Sequence, residues 1–274
     1  MLGVQSKPCS PMLNDSNRRL LRYEVSSVRK ALDILAVFSI FEPEWSLSAL
    51  ARRLHLPKST AHNLLRTLQC FDLVQQQQER RTYRLGPRAL EMGLTFSHSS
   101  EVLAQARPVL RRVAQLTGET VKLGILSNEQ VLIVAAVESA HQLHTRGDTG
   151  TRWPLHSTSL GKAILSVLPQ DECERVVRGR GMRQFTNRTL TSWARLKEEL
   201  DKTRDRGYAT DSEENEPGVC CVAAPVIDSL RGSVGAISVS GPRMRLDDDR
   251  LADFAAKALV AAKNISRYSR LEKT

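Results

Sequence analysis

The sequence predicts a two-domain α+β protein, in which a helix-turn-helix and a short hairpin precede a larger domain with an antiparallel sheet. Two apolar stripes with helical spacing lie close together between residues 47 and 68. From residue 120 onward, strand patterns alternate with helix patterns. The 274 residues suit two ordinary domains, and 41% of them are hydrophobic, which is enough for a core in each.

The helix-turn-helix prediction rests on two sets of apolar residues that share one spacing. Each set falls at i, i+3, i+4 and i+7, so each forms a buried stripe along one helix. The sets are Leu47, Leu50, Ala51 and Leu54, and then Ala61, Leu64, Leu65 and Leu68. Ser46 is placed to cap the first helix, and Lys58 or Ser59 to start the second. Pro57 cannot lie inside the first helix, so only a tight turn joins the two.

The opposite face of the second helix carries polar side chains. The candidate DNA contacts on this helix are Lys58, Ser59, Thr60, His62, Asn63 and Arg66. Such donors and acceptors suit base edges and phosphates in a major groove. An ordinary helical hairpin with a solvated polar face has the same pattern, so this face alone does not decide between the two interpretations.

A hairpin directly after the second helix favours DNA binding. Val74 and Tyr83 lie on its two arms, and the polar run between them ends in Arg80 and Arg81. Arginines at the tip of such a wing reach the phosphates beside a groove. The alternative is an exposed loop whose charges only promote solubility. The formal net charge of +10, which is denser in residues 1–98 than after them, indicates a polyanionic partner.

Cysteine usage and hydropathy limit the classes of protein. The five cysteines are odd in number and show no metal-ligand spacing, so we expect a reduced, cytoplasmic protein without a metal site. No apolar run approaches the ~20 residues that span a bilayer, so we expect neither a signal peptide nor a membrane partner. The sequence contains no phosphate loop, metal cluster or hydrolase motif that would indicate a cofactor or an enzyme.

Further helix patterns flank the helix-turn-helix. Residues 25–38 predict a helix whose shared apolar face holds Val28, Ala31, Leu32, Leu35 and Ala36. Two more helices, over residues 88–99 and 103–116, predict a connector. In the second of these, Pro108 should start a new turn or kink the helix, and Leu116 should point inward.

The domain boundaries follow from these patterns. We predict a mobile tail at residues 1–24, a winged helix-turn-helix domain at 25–87, a linker helix at 88–101 and a second domain at 102–271. The second domain contains predicted strands at 120–126, 130–137, 208–212, 219–227 and 233–240, with another possible strand at 143–146. Helices are predicted at 159–168, 170–178, 190–206 and from Asp247 onward.

Three sequence blocks give the chain a resemblance to the IclR family of bacterial transcription regulators. These blocks are residues 56–65, residues 153–163, and Gly207-Tyr-Ala-Thr-Asp-Ser-Glu-Glu214 with the following Cys221-Val-Ala and Val226-Ile-Asp228. The resemblance implies a GAF-like effector-binding domain, a homodimer or homotetramer on palindromic double-stranded DNA, and a small organic or aromatic acid as effector. Most members repress transcription, so we expect a repressor. Family members often carry Arg at the position of Asn63, so their operator sequences do not predict the operator of this protein.

The resemblance also implies an effector pocket. Its residues are Ser159, Leu160, Gly161, Asp211, Cys221, Ser238 and Ser240. The helix that follows Ser157 could hold a carboxylate on its first amides, although an ordinary Ser/Thr cap has the same sequence. Asp211 and Glu214 could equally serve structural hydrogen bonds, and Cys221 could be a small core residue.

A thiol-based redox enzyme or sensor is the competing hypothesis. It would use Cys220 and Cys221, with His156 as a base. The sequence does not place this histidine beside either thiol. An architectural DNA binder is a third hypothesis, but it would leave the large second domain without a use.

Overall fold

The computed structural model describes residues 24–228 and 233–268. The chain divides into two compact units, one up to Ser99 and the other from Ser100. The predicted tail lies outside the described residues except for Glu24, and so does the end of the predicted second domain beyond residue 268. In the part of the chain that the structure describes, no helix is long and apolar enough to cross a membrane.

The described part of the first unit contains a winged helix-turn-helix, as the sequence predicts. Its elements are α1 (Ser26–Ala36), β1 (Trp45–Ser46), α2 (Leu47–Arg53), α3 (Lys58–Cys70), β2 (Val74–Gln77), β3 (Thr82–Leu85) and α4 (Pro87–Ser99). The strands form an antiparallel sheet in the order β1-β3-β2. β1 is a strand that the sequence pattern missed, because two residues are too short to show an alternation.

The predicted stripes of α2 and α3 form the core of this unit. Leu50 and Ala51 of α2 and Leu65 of α3 are buried. The Ser46 hydroxyl accepts a hydrogen bond from the Ala49 amide at 3.2 Å, which confirms the predicted cap. His55 adopts φ 53° in the turn, and this left-handed residue allows the chain to reverse within a few residues.

The predicted apolar face of α1 was right for Ala31 and Leu35, which contact the helix-turn-helix core, and wrong for Val28 and Leu32. Val28 and Leu32 are more than half exposed, whereas Ile34 is fully buried and Phe38, just beyond the helix, is buried with it. Ala31, Ile34, Leu35 and Phe38 follow the spacing i, i+3, i+4 and i+7 and contact the helix-turn-helix core. The apolar residues of this helix therefore lie on two faces, and only one of them packs within the unit.

The second unit contains a six-stranded antiparallel sheet in the order β6-β5-β4-β9-β8-β7. Its strands are β4 (Thr120–Ser127), β5 (Gln130–Val137), β6 (Arg152–Trp153), β7 (Ala209–Ser212), β8 (Val219–Asp228) and β9 (Ser233–Pro242). Its helices are α5 (Glu101–Thr117), α6 (Ser159–Ser166), α7 (Gln170–Arg180), α8 (Trp193–Arg206) and α9 (Asp248–Tyr268), with a short 3-10 turn at Arg243–Arg245.

Helices cover both faces of this sheet, which confirms the predicted α+β architecture. α5 and α9 pack on one face, against a core that includes Leu123, Ile237 and Val239. α6, α7 and α8 pack on the other face, against a second core that includes Ile133 and Ala223. Successive strand residues point to opposite faces, so each central strand contributes to both cores.

Three details of the second unit differ from the sequence prediction. Residues 143–146 do not form a strand, because this segment bonds through side chains: the Thr120 hydroxyl donates to the Thr145 carbonyl at 2.8 Å. The strand beside β5 is β6 instead. Leu116 is half exposed, whereas the pattern placed it inward. Pro108 lies inside α5 on its exposed side, and the helix continues past it.

Candidate functional sites

The polar face of α3 is exposed. Lys58, Ser59, His62, Asn63 and Arg66 are exposed and Thr60 is partly buried, while Ala61, Leu65 and Leu68 lie in the core beneath them. The helix is thus anchored by one stripe, and its other side presents amide, imidazole and guanidinium groups to a partner. These are groups that read base edges and hold phosphates.

The hairpin of β2 and β3 places two arginines at its tip. Gln77 pairs with Thr82, so the turn between them holds both Arg80 and Arg81, and these residues are exposed. Arg80 Nη1 lies 3.9 Å from the Glu44 carboxylate, which also accepts a hydrogen bond from the Thr82 hydroxyl at 3.0 Å. An exposed ion pair of this length contributes little stability, so Arg80 can exchange it for a phosphate.

Four of the predicted effector residues share one face of the large sheet. In the strand register, Asp211 lies opposite Cys221, Cys221 opposite Ser240, and Ser240 opposite Thr120. Ser238 belongs to the next row on the same face, because it is two residues before Ser240. These side chains therefore form a polar floor beneath α6, the helix that begins at Ser159.

The start of α6 lies against this floor with its cap already formed. The Thr158 hydroxyl accepts a hydrogen bond from the Gly161 amide at 3.1 Å, so that amide is engaged within the cap. A Cβ at Gly161 would lie 2.3 Å from the Leu155 carbonyl oxygen, which makes glycine necessary there. The amides of Ser159 and Leu160 have no acceptor within the helix and are the ones that favour a negatively polarised ligand atom.

A buried polar network closes one side of the site. Lys162 of α6 is fully buried, and its Nζ donates to Glu214 Oε1 at 2.5 Å. The Glu214 amide donates in turn to Asp211 Oδ1 at 2.8 Å. The Ser157 hydroxyl donates to the Asn215 side-chain oxygen at 3.0 Å. This network fixes the loop after β7 to the start of α6.

The charges in this network are not fully compensated. Burial, and next the neighbouring Glu214 carboxylate, raise the pKa of Asp211 to about 7. Burial also raises the pKa of Glu214, against the favourable charge of Lys162. Within the described residues, Glu214 Oε2 and the Ser238 hydroxyl are buried atoms without a hydrogen-bond partner. A buried polar atom without a partner is unfavourable, so a donor or acceptor that binds there would be stabilised.

The two adjacent cysteines do not form a reactive pair. Neighbouring strand residues point to opposite faces: Cys220 packs in the core under α5 and α9, while Cys221 lies on the polar floor. Burial, and next the charge of Asp211, raise the pKa of the Cys221 thiol to about 12, and burial raises that of Cys220. A protonated thiol is a poor nucleophile, so the redox hypothesis gains no support.

Three further residues at this site carry little signal in the sequence. Lys122 lies on the polar floor beside Ser238; a lone lysine in an apolar strand was the only signal for it. Lys162 stands in an otherwise apolar helix, and its partner Glu214 lies far along the chain. Trp153 belongs to the two-residue strand β6, and its ring centroid is 5.9 Å from Lys122 Nζ.

A winged helix-turn-helix followed in the chain by an α+β domain with a polar sheet face is an architecture of DNA-binding transcription regulators. Two family models match this chain. Residues 27–78 match the IclR helix-turn-helix domain, and residues 95–267 match the C-terminal domain of the bacterial transcriptional regulator IclR.

Named relatives match most of the chain. The transcriptional regulator BhcR of Paracoccus denitrificans is 36% identical over 242 residues, which are 88% of this chain and 86% of the relative. The transcriptional repressor IclR of Escherichia coli is 34% identical over 245 residues, 89% of each chain. The chain therefore belongs to the IclR family of DNA-binding transcriptional regulators, many of which are repressors.

Solved structures agree with the fold. An IclR transcriptional regulator from Silicibacter has a TM-score of 0.81 at 27% identity, covering 89% of this chain and 96% of its own. An IclR homolog from Microbacterium hydrocarbonoxydans, solved in complex with 4-hydroxybenzoate, has a TM-score of 0.78 at 22% identity. It covers 89% of this chain and 99% of its own.

Proposed function

We propose that this protein represses transcription by binding a palindromic operator as a homodimer or homotetramer, and that a small organic or aromatic acid alters that binding. The observation that carries this proposal is the exposed polar face of α3 beside an arginine-tipped wing in a member of this family. Lys58, Ser59, Thr60, His62, Asn63 and Arg66 would enter the major groove, and Arg80 and Arg81 would hold phosphates.

Asn63 is the residue that we assign to base recognition. It lies in the middle of the exposed face of α3, one helical turn after Ser59 and before Arg66. Its amide can donate and accept at once, which matches the N6 and N7 atoms of adenine. An operator with an adenine at the contacted position is therefore the expected preference.

The effector would lie between the start of α6 and the polar floor of the large sheet. Ser159, Leu160 and Gly161 border it from the helix, and Asp211, Cys221, Ser238 and Ser240 border it from the sheet. The unpartnered Ser238 hydroxyl on this face and the positive end of α6 favour a ligand with acceptor oxygens. Because the pKa of Asp211 is raised to about 7, this carboxyl can be protonated or can accept from a ligand hydroxyl.

The helices α4 and α5 follow each other in the chain between the wing and the sheet, and we assign them the transmission of the signal. A ligand changes DNA affinity only if it binds one arrangement of the oligomer more tightly than another. A coupling free energy of roughly 1–3 kcal/mol is typical of such systems.

The experiment begins with thermal melting of the purified protein in the presence of small carboxylic acids, 4-hydroxybenzoate among them. Mobility shifts then measure binding to the DNA upstream of the protein's own gene, with and without each acid that raises the melting temperature. We expect sequence-specific binding that a stabilising acid changes. Equal affinity for that DNA and for random DNA, with no response to any acid, would overturn the proposal.

A further inference from the structure

Lys122 is a cation on the polar floor. It belongs to β4 and lies opposite Ser238 of β9 in the strand register, so both side chains emerge on the face beneath α6. The Trp153 ring stands beside it, with 5.9 Å between the ring centroid and Nζ. The Leu160 side chain of α6 reaches the same strand: a Cβ added at Gly124 would lie 3.4 Å from Leu160 Cδ1.

The two lysines on this side of the sheet differ in their partners. Lys162 is neutralised by Glu214 at 2.5 Å. Among residues 24–228 and 233–268, no hydrogen bond or ion pair joins Lys122 to another group. Burial lowers the pKa of Lys122. Smaller opposing effects, which raise that pKa, come from groups that are not bonded to it: the Cys221 thiol and the carboxylates of Glu216, Asp148 and Asp211. A partly desolvated ammonium beside an aromatic ring, with no carboxylate bonded to it among the described residues, lacks a full counter-charge, so an anion bound at this point would be favourable.

Ser238 supplies an independent indication at the same place. Its side chain is almost completely buried, and its hydroxyl has no partner among the described residues. Because Ser238 lies opposite Lys122 in the strand register, this hydroxyl and the ammonium are two donors that emerge from neighbouring positions of the floor. A carboxylate can accept from both, because each of its oxygens has two lone pairs.

We infer that Lys122 and Ser238 bind the carboxylate of the effector, which is a small monocarboxylic acid whose body packs between Trp153 and Leu160. This inference rests on the proposed function for the identity of the site. The sequence alone placed the carboxylate on the amides at the start of α6. A hydrogen bond to a full charge is stronger than a contact with the partial charge of a helix end. The carboxylate therefore lies on Lys122, and the free amides of Ser159 and Leu160 take a second oxygen of the ligand.

The test is isothermal titration of the full chain with named probes. The probes are glyoxylate, pyruvate, benzoate and 4-hydroxybenzoate, each compared with its uncharged amide. The variants are Lys122→Met, Lys122→Arg and Ser238→Ala, and the matched control is Lys202→Met on the exposed side of α8. Thermal melting establishes that each variant is folded, and Lys122→Gln replaces Lys122→Met if the latter is not.

We expect at least one acid to bind the wild-type protein more tightly than its amide does. Lys122→Met should weaken binding of that acid about tenfold or more, as expected for the loss of one charge-assisted hydrogen bond, and remove the preference over the amide. Lys122→Arg should restore much of the preference, and Lys202→Met should match wild type.

Two results would overturn the inference: no acid in the set binds the wild-type protein, or Lys122→Met and Lys122→Gln bind the acid as tightly as wild type does. Operator binding by the wild-type protein is measured separately in mobility shifts. Failure of the proposed regulation would appear there, whereas failure of the Lys122 contact appears in the titrations.

Discussion

The ammonium of Lys162 lies 2.5 Å from Glu214 Oε1, and the lysine is fully buried. Such a pair adds little net stability compared with apolar residues of the same shape, because both ions lose their hydration. The role of this pair is to position a loop. Glu214 follows Asp211 by three residues and its amide binds the Asp211 carboxylate, so the pair holds the loop after β7 against the start of α6.

Removing one member of this buried pair should lower the free energy of unfolding far more than replacing both members. We expect Glu214→Gln to lower the free energy of unfolding by about 3 kcal/mol, because Lys162 is left charged and buried. The double variant Lys162→Met with Glu214→Gln should lose much less than the two single variants together. Urea denaturation followed by circular dichroism measures these values. Strictly additive losses would mean that the two residues do not interact.

An exposed pair provides the control for that measurement. Lys257 and Asp253 form an ion pair one turn apart on α9, with more than half of the Asp253 side chain exposed. Lys257→Met should change the free energy of unfolding by less than about 1 kcal/mol, since exposed pairs contribute little.

The raised pKa of Asp211 predicts a pH-dependent stability. This carboxyl has an ordinary pKa of 3.8 in the unfolded chain and about 7 in the folded protein. Between these values the folded protein holds a proton that the unfolded chain has lost, so this contribution to stability is complete below 3.8 and disappears as the pH rises through 7. Asp211→Asn imitates the protonated form and does not titrate.

The measurement compares melting temperatures of Asp211→Asn and wild type at two pH values, one well below 7 and one above it. We expect the difference, variant minus wild type, to increase by about 4 °C or more toward the higher pH. A difference that is the same at both pH values would show that Asp211 titrates normally in the folded protein.

The helix-turn-helix could be predicted from the sequence because its information is local. The spacing of Ala61, Leu65 and Leu68 specifies both a helix and its buried side, and these residues are buried in the structure. The apolar face of α1 could not be chosen in the same way. Val28 and Ile34 are equally apolar, and only packing against α3 decides that Ile34 is buried and Val28 exposed.

The candidate effector site could be predicted only in part. Ser238 and Ser240 alternate with apolar residues, so their common face was visible in the sequence. The environment of Lys122 was not, because its neighbour Ser238 comes from a strand more than one hundred residues later. In a single strand, a lone lysine is more typical of a solvent-facing position. Pairing of distant strands supplies the information that local patterns lack.

Asn63 should contribute to specificity more than to general affinity. Replacing Asn63 with alanine removes a side chain that is exposed in the free protein, so the melting temperature should not change. Binding to the specific site should weaken by roughly 1–3 kcal/mol, and binding to random DNA much less. Mobility shifts on both DNAs measure this. An equal loss on both would remove Asn63 from base recognition.

The wing arginines should control the salt dependence of binding. Each phosphate contact that is lost reduces the slope of log affinity against log salt by about 0.9. We therefore expect the double variant Arg80→Ala with Arg81→Ala to flatten that slope by up to about 1.8. Arg178→Ala, an exposed arginine on α7, is the control and should leave it unchanged. An unchanged slope in the double variant would place the wing tip in solvent.

The most direct test of the proposed effector response is the operator affinity of wild type and of Cys221→Trp, each measured with and without a bound acid. Cys221 lies in the middle of the polar floor, between Asp211 and Ser240 in the strand register, and an indole there would fill the effector site. We predict that the acid changes the operator affinity of wild type by roughly 5- to 150-fold and leaves that of the variant unchanged. The variant without acid should still bind the operator, which shows that it is folded. A variant that binds the acid and responds to it like wild type would contradict the proposed effector site, because the effector would then lie elsewhere.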